Sequence, residues 1–423
     1  MIIAVIGKNF GDEGKGLAVD YFCGRVPHCL TVKHNGGAQA GHTVSYEDKR
    51  FVFHQLSSGS FRGADTFYVS TYSPDLFKLG EEYRDFRACA GFVPKLYCSV
   101  DAPLITIDDV LHNMLLESLR GENRHGSCGM GINEGHLRCQ DGFGITFGEI
   151  SGGTAEGLSA RMLEIRENYG MKRCEEILSG TGNTDGKAYG GKEAGFTEYR
   201  EMLNSKDVIR NAAEEMMRNA EFVLPVEEEE AFLCSAENIV FETGQGLLLD
   251  SDNTRFAPHV TASKTGLCNI VNILSKAGLT LSEVCYVSRT YVTRHGAGEL
   301  PYETKRSAIG EIAEDQTNLP NPWQGAIRYA THGTVEEFTN PVKEDITRYI
   351  RQNNYEAYHK EDEPVVSLFL THLNETGGRI VFADNGAKTE EFINMPEIRS
   401  IFDRIYLSGS VFGDECRVLS ARF

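Results

Sequence analysis

The 423-residue sequence has no pair of cysteines at Cys-x-x-Cys spacing and no cysteine beside a histidine in a zinc-ligand pattern. Its eleven cysteines are scattered from Cys23 to Cys416. An odd, dispersed set fits reduced thiols in the cytosol and argues against a disulfide framework. No apolar run is long enough to cross a bilayer, which excludes a helical membrane span. A basic excess is also missing: 42 Lys and Arg stand against 61 Asp and Glu, a formal charge of -19. That excludes a general nucleic-acid binder, which needs a basic face to displace counterions. It leaves room for a local basic pocket, and the acidity itself serves solubility through self-repulsion. Met1–Ile6 opens straight into a strand-like run with no basic flank and no small-residue cleavage site, so no signal peptide and a cytoplasmic location are expected. No internal repeat is visible. The one tryptophan, Trp323, reads as a core or rim residue rather than a stacking platform.

What is present is an alternation of short buried runs and helical stretches. Met1–Ile6, Phe67–Ser70, Ile239–Phe241, Val284–Val287, Val365–Leu370, Ile380–Phe382 and Ile405–Leu407 are apolar, β-branched or aromatic, and not clearly alternating, as strands covered on both faces are. Gly16–Cys23, Ile107–Ser118, Ala155–Tyr169 and Val208–Asn219 read as helices between them. The alternation predicts an α/β fold with a large, mostly parallel central sheet flanked by helices. Residues 1–423 are expected to form a single domain, with helical excursions at about 100–235 and 300–360. Gly180–Gly195 reads as an exposed loop, and the four glutamates Glu227–Glu230 as a solvated stretch or a helix start.

The strongest local signal follows the first run: GKNFGDEGKG (Gly7–Gly16), then an apolar helix. Strand, glycine-rich turn and helix make an anion site, because backbone N–H groups and the helix N-terminus converge there. Lys15 would add a mobile positive charge. The pattern is not a standard P-loop: Asn9 stands where its first glycine belongs, and Gly16 replaces the magnesium-binding hydroxyl. Asp12 is then the candidate Mg²⁺ ligand, since a carboxylate inside a phosphate cradle needs a cation between them.

Further on comes NGGAQAGHTV (Asn35–Val44). Together with GDEGKG (Gly11–Gly16) it closely resembles the adenylosuccinate synthetase family, which pairs GDEGKG with GGxNAGHT at this separation. Collinear matches follow. GSCGMGI (Gly126–Ile132) resembles GTTGRGIGP. ETGQGLLLD (Glu242–Asp250) resembles EGAQGxLLD. PHVTAS (Pro258–Ser263) resembles PxVTSS. TRHGAG (Thr293–Gly298), with Pro301 and Glu303, resembles TRVGAGPxPTE. The resemblance implies a ligase that joins L-aspartate to IMP at the expense of GTP or ATP, through a 6-phosphoryl purine nucleotide, in purine biosynthesis. It implies Asp12 as the base at purine N1 and a Mg²⁺ ligand, Gly41 as a second ligand through its carbonyl, His42 as general acid, and Gln245 as the third catalytic residue. The triphosphate would be held by Gly11, Glu13, Gly14, Lys15, Gly16, Gly41, Thr43, Asn374, Ser408 and Gly409. The purine nucleotide would meet Asp12, Lys15, Gln39, Ser127, Cys128, Arg138, Gln245, Thr261 and Arg328. A homodimer is implied, with Arg138 as the arginine that reaches across it. By its own sequence context, Cys128 reads as a packing residue rather than a nucleophile.

Departures from the family pattern fall on ligand selection. The arginine-rich TTGRxRR stretch is TNLPNPWQGAIRY (Thr317–Tyr329), in which Arg328 survives and Arg306 is an upstream helper. A two-carboxylate substrate favours bidentate guanidinium partners, so the aspartate site is rebuilt or the amine differs. The base-reading TKxD becomes Thr371-His-Leu-Asn374, and an amide cannot offer guanine two acceptors. Gln39 replaces an asparagine and Met130 an arginine. Two alternatives therefore stand beside the main expectation: a ligase acting on a guanine nucleotide or another amine, as phage members of the superfamily do, and a nucleotide-binding regulator without catalysis.

Overall fold

The computed structural model describes residues 1–120, 127, 129–180, 194–313, 325–351 and 363–420. Its strands are β1 (Ile2–Gly7), β2 (Cys29–Lys33), β3 (His42–Tyr46), β4 (Lys49–Phe53), β5 (Asp65–Tyr68), β6 (Leu96–Ser99), β7 (Val223–Val226), β8 (Asn238–Glu242), β9 (Glu283–Arg289), β10 (Val292–Arg294), β11 (Glu303–Thr304), β12 (Arg328–Ala330), β13 (Val365–Thr371), β14 (Arg379–Ile380), β15 (Ala387–Lys388), β16 (Arg404–Leu407) and β17 (Arg417–Ser420). Ten of them make one sheet in the order β17-β16-β13-β9-β1-β8-β2-β5-β6-β7. Every neighbouring pair is parallel except the edge pair β16–β17. The large, mostly parallel sheet expected from the sequence is the sheet observed.

The residues of β1 explain its central place. Ile3 and Val5 pack on one face with Leu17, Ala18 and Phe22 of α1 (Lys15–Cys23). Ala4 and Ile6 pack on the other with Leu267 and Ile270 of the helix Leu267–Ala277. A strand covered on both faces reads as an unbroken apolar run. From β1 the chain crosses through α1 to β2, on the far side of β8, whereas β9 and β13 lie on the opposite flank. The order therefore reverses at β1, and the C-terminal ends of the strands there open a crevice suited to a ligand.

The remaining strands lie outside the sheet: the hairpin β3/β4, the three-stranded β10-β12-β11 and the ribbon β14/β15. Of Ile380–Phe382, expected as a buried strand, Ile380 joins that ribbon and Phe382 makes an isolated bridge to His332; Ile380 and Phe382 pack in the core with the helix Val335–Ile346. The helix α2 (Leu76–Ala90) joins β5 to β6, and further helices fill the chain between β6 and β7, among them α3 (Ile107–Arg120) and α4 (Ile132–Gln140). Ala155–Ile165 continues into a π-turn, Arg166–Gly170, rather than ending at Tyr169. Of the Gly180–Gly195 loop, 181–193 lie outside the described residues, as do Trp323 and Cys128. Among the described residues no helix is long and apolar enough to cross a membrane.

Candidate active site

The turn between β1 and α1 is built on left-handed backbone at Gly11 (φ 95°), Asp12 (φ 59°) and Gly14 (φ 91°). Gly14 caps α1 with no side-chain hydrogen bond, so the first amides of the helix face outward as an anion site. Glu13 turns inward. Its Oε1 accepts from the amides of Asn9 (2.9 Å) and Gly11 (2.8 Å), and its Oε2 lies 2.7 Å from Lys15 Nζ. Both side chains are 2 % exposed. Lys15 is thus not a freely mobile charge: a buried ammonium needs a partner, and Glu13 is it. Glu13 itself stabilises the turn from within and lines neither cavity described below.

His42 begins β3, where its ring meets the end of β8. Nδ1 lies 2.5 Å from Glu242 Oε1; Lys33 Nζ is 3.1 Å from the same oxygen, and the Ser58 amide donates to Oε2 at 3.1 Å. Ser58 Oγ also donates to Glu242. Burial alone would raise the Glu242 carboxyl; Lys33, His42 and Ser58 outweigh it and hold it well below the usual carboxylate range. Burial pulls His42 below its ordinary value, against Glu242 and with help from Lys33 and Lys15. Neither Glu242 nor Lys33 was identified from the sequence. The signal was available in the placement of ETGQG after a buried strand, which puts its first residue at a strand's C-terminal end.

Two cavities meet at this turn. One, of about 370 Å³, is lined by Gly14, Gly16, Thr43 and Asn374, with Ile312, Tyr329 and Val411. The other, of about 540 Å³, is lined by Gly11, Gln39, Ser127, Gln245 and Thr261, with Arg120 and His295. Asp12, Lys15, Gly41 and His42 line both. Within the second cavity Gln39 Nε2 reaches Gln245 Oε1 at 3.4 Å, Gln245 has φ 56°, and Ser127 Oγ donates to Asn113 Oδ1 at 2.8 Å. Asp12 is only partly buried, and its backbone carbonyl accepts from Arg289 Nε at 2.5 Å.

Several expected ligand residues lie elsewhere. Arg138 is 1 % exposed; Nε and NH2 grip Asp109 at 2.9 Å each, NH1 reaches Phe143 O and NH2 also reaches Leu104 O. A buried guanidinium with four of its five N–H groups so engaged does not reach out to a nucleotide or a partner chain. Arg328 pairs with Glu303 and donates to the carbonyls of Gly296 (3.2 Å) and Gly298 (2.8 Å), so it braces a loop rather than lining either cavity. Arg306 is exposed in the short helix Arg306–Ile309. Ser408 is fully buried with its hydroxyl on Ser410 O, and Gly409 is exposed near Asn374 without lining the cavity; Ser410 and Val411 line it instead.

A sequence model of the family described as adenylosuccinate synthetase matches residues 4–319. The adenylosuccinate synthetase of Azobacteroides pseudotrichonymphae is 26 % identical over 330 residues, covering 76 % of this chain and 70 % of that protein. The enzyme of Saccharophagus degradans is 28 % identical over 305 residues, covering 71 % and 64 %. The match thus spans about two thirds of the relatives' length. Among solved structures, the fully ligated adenylosuccinate synthetase of Plasmodium falciparum superposes with a TM-score of 0.63 at 15 % identity, over 99 % of both chains. The succinoaminodeoxyadenylate synthetase of cyanophage S-2L, bound to dGMP and dATP as an energy donor, gives 0.57 at 14 %, over 100 % of this chain and 95 % of that one. These two likenesses speak for the fold alone. With three quarters of its length matched by the family's own sequence pattern, the chain belongs to the adenylosuccinate synthetase family.

Proposed function

We propose that this protein ligates L-aspartate to IMP using a nucleoside triphosphate. The observation that carries the reading is the junction: Asp12, Lys15, Gly41 and His42 line both cavities, so two nucleotides bound in them would meet there. The 370 Å³ cavity, which contains the uncapped α1 N-terminus, would take the triphosphate, and the 540 Å³ cavity the purine nucleotide.

In this scheme Asp12 removes the N1 proton and the purine 6-oxygen attacks the γ-phosphorus, breaking its bond to the bridging oxygen. Nucleoside diphosphate leaves. The aspartate amine then displaces the 6-phosphate as inorganic phosphate. The first step turns a poor leaving group into a good one. It depends on a positioned base and on positive charge around the γ-phosphate, here Lys15 and the α1 amides. Burial lowers the His42 pKa while Glu242 favours the ring's proton, and His42 would support the departing phosphate by donating a hydrogen bond to it. Asp12 and Gly41 supply hard oxygen donors on both cavities, which suits Mg²⁺ completed by phosphate oxygens. When bound, the ion would neutralise charge on the phosphates.

ATP is the favoured energy donor. Adenine offers one donor and one acceptor on an edge, which the Asn374 amide matches; guanine offers two donors, which it does not. A homodimer and a cytoplasmic location belong to the same reading. A guanine nucleotide is the second candidate for the purine cavity, on the strength of the phage neighbour's dGMP. The test is aspartate-dependent phosphate release with IMP, GMP and dGMP, each with ATP and GTP. IMP turnover is expected; turnover confined to guanine substrates would replace IMP, and nucleotide binding without any turnover would leave a regulator.

A further inference from the structure

His295 stands on the loop after β10, and its Nε2 lies 3.3 Å from Asp12 Oδ2. The two side chains are within ion-pair range but not aligned for a hydrogen bond. Both ring nitrogens of His295 are buried and have no hydrogen-bond partner among the described residues. Buried polar atoms are left unpaired rarely, because each then loses its hydration without compensation, so such an imidazole against a reactive carboxylate calls for a reason.

The loop is built to hold that ring in place. Gly296 (φ 71°) and Gly298 (φ 99°) take left-handed conformations that a side chain would strain. Their carbonyls are clamped by Arg328 NH1, and Arg328 is itself fixed by Glu303. On the preceding side, Arg294 ties the strand end to His259 O at 2.7 Å and to Glu299 O at 2.6 Å. Asp12 is restrained in a complementary way. Its main chain is left-handed and its carbonyl is held by Arg289, so what remains free is the rotation of its carboxylate.

We propose that His295 is the positioning residue for Asp12. A small rotation brings Nε2–H onto Oδ2 and so turns the other carboxylate oxygen toward the proton it must take from the purine. The role needs no change of charge on either group. It rests on the ligase reading for the identity of that proton, but the contact it asserts can be tested apart from turnover. A near-attack geometry of this kind is worth a great deal: a misplacement of about 1 Å costs on the order of a hundredfold in rate.

His295→Val and His295→Gln separate the possibilities, with melting temperature and nucleotide binding by calorimetry as controls of folding. The valine variant is expected to lose about 10- to 100-fold in kcat, with KM for the purine nucleotide and for the amine within about twofold of wild type. The glutamine variant, which keeps a donor of similar reach and does not titrate, should recover most of the rate. Asp12→Asn combined with His295→Val should be no slower than Asp12→Asn alone, as for residues acting through one another. A raised KM at unchanged kcat, a glutamine variant as poor as valine, or additive losses would overturn the proposal. Crystal structures of wild type and His295→Val with bound purine nucleotide give a readout that needs no activity. A single ordered Asp12 rotamer in the first and a rotated or multiple one in the second is expected; an identical Asp12 in both would overturn the proposal even if the ligase reading had failed.

Discussion

His42 and Glu242 are joined ring to carboxylate, Nδ1 to Oε1 at 2.5 Å, with Glu242 fully buried at the end of β8 and His42 at the start of β3. The pair fixes the orientation of the imidazole, which lines both cavities. Glu242→Gln removes the charge that favours a protonated ring and is expected to lower kcat by about 10²–10⁴, the range spanned by positioned acid–base groups, with nucleotide KM little changed. It also strands Lys33, a buried cation whose loss of partner costs about 3–5 kcal/mol in urea unfolding. The Glu242 carboxyl is depressed in the fold. Its contribution is therefore complete above the unfolded value near 4.5 and fades as pH falls, so the stability gap between wild type and Glu242→Gln should narrow toward acid pH.

Lys8 acts with the same sign in a higher pH window. It is 1 % exposed, with Nζ on Asn9 Oδ1 (2.9 Å), on Phe338 O (3.1 Å) and over the Phe338 ring. Burial, only partly offset by Glu13, lowers its pKa to about 7 from 10.5. Between those values the unfolded chain binds a proton that the folded chain does not, so this group makes stability rise with pH, by up to about 1.4 kcal/mol per unit. Urea unfolding of wild type and Lys8→Met should show a difference that is flat below pH 7 and shifts in favour of wild type from pH 7 to 10. A difference that stays constant across that range would mean Lys8 keeps its proton.

The sheet was legible because its middle strands are apolar on both sides, as β1, β9 and β13 are. β2, β6, β7 and β17 were not: CLTVK, LYCS and VLPV are short and mixed, and β17 is an exposed edge, so their strand character comes from pairing with neighbours rather than from pattern. At the site, glycine-rich segments announced the turn and the His42 loop, because close backbone approach needs glycine. The supports of those segments were silent in the sequence. Glu242, Lys33 and Arg289 reach the site from strand ends far along the chain, and no local spacing marks such contacts. Arg138 and Arg328 misled for a related reason: an arginine read as a ligand hand looks the same as one whose donors are spent on Asp109 or Glu303.

That distinction is testable at Arg138. Two hydrogen bonds to Asp109 and two to carbonyls make it a bracket between α3 and α4, and Arg138→Met would leave Asp109 buried without its cation. A loss of about 3–5 kcal/mol in unfolding free energy is expected, with purine nucleotide KM unchanged in the folded fraction. A nucleotide KM raised tenfold or more with stability intact would instead return Arg138 to the binding site.

The choice of energy donor turns on Asn374, which lines the 370 Å³ cavity together with Glu375. Its amide offers a donor and an acceptor, the complement of adenine's amino group and ring nitrogen, whereas guanine's N1–H and N2–H call for two acceptors. Replacing the amide by a carboxylate alters that pattern without changing the side chain's size. Asn374→Asp should therefore shift the ratio of kcat/KM for ATP over GTP toward GTP by tenfold or more, the order of about 1–3 kcal/mol that a matched base contact is worth. The shift should appear in the triphosphate's KM and leave the purine nucleotide's KM alone, because Asn374 lines one cavity and not the other. An unchanged ratio would place base selection on another part of that wall.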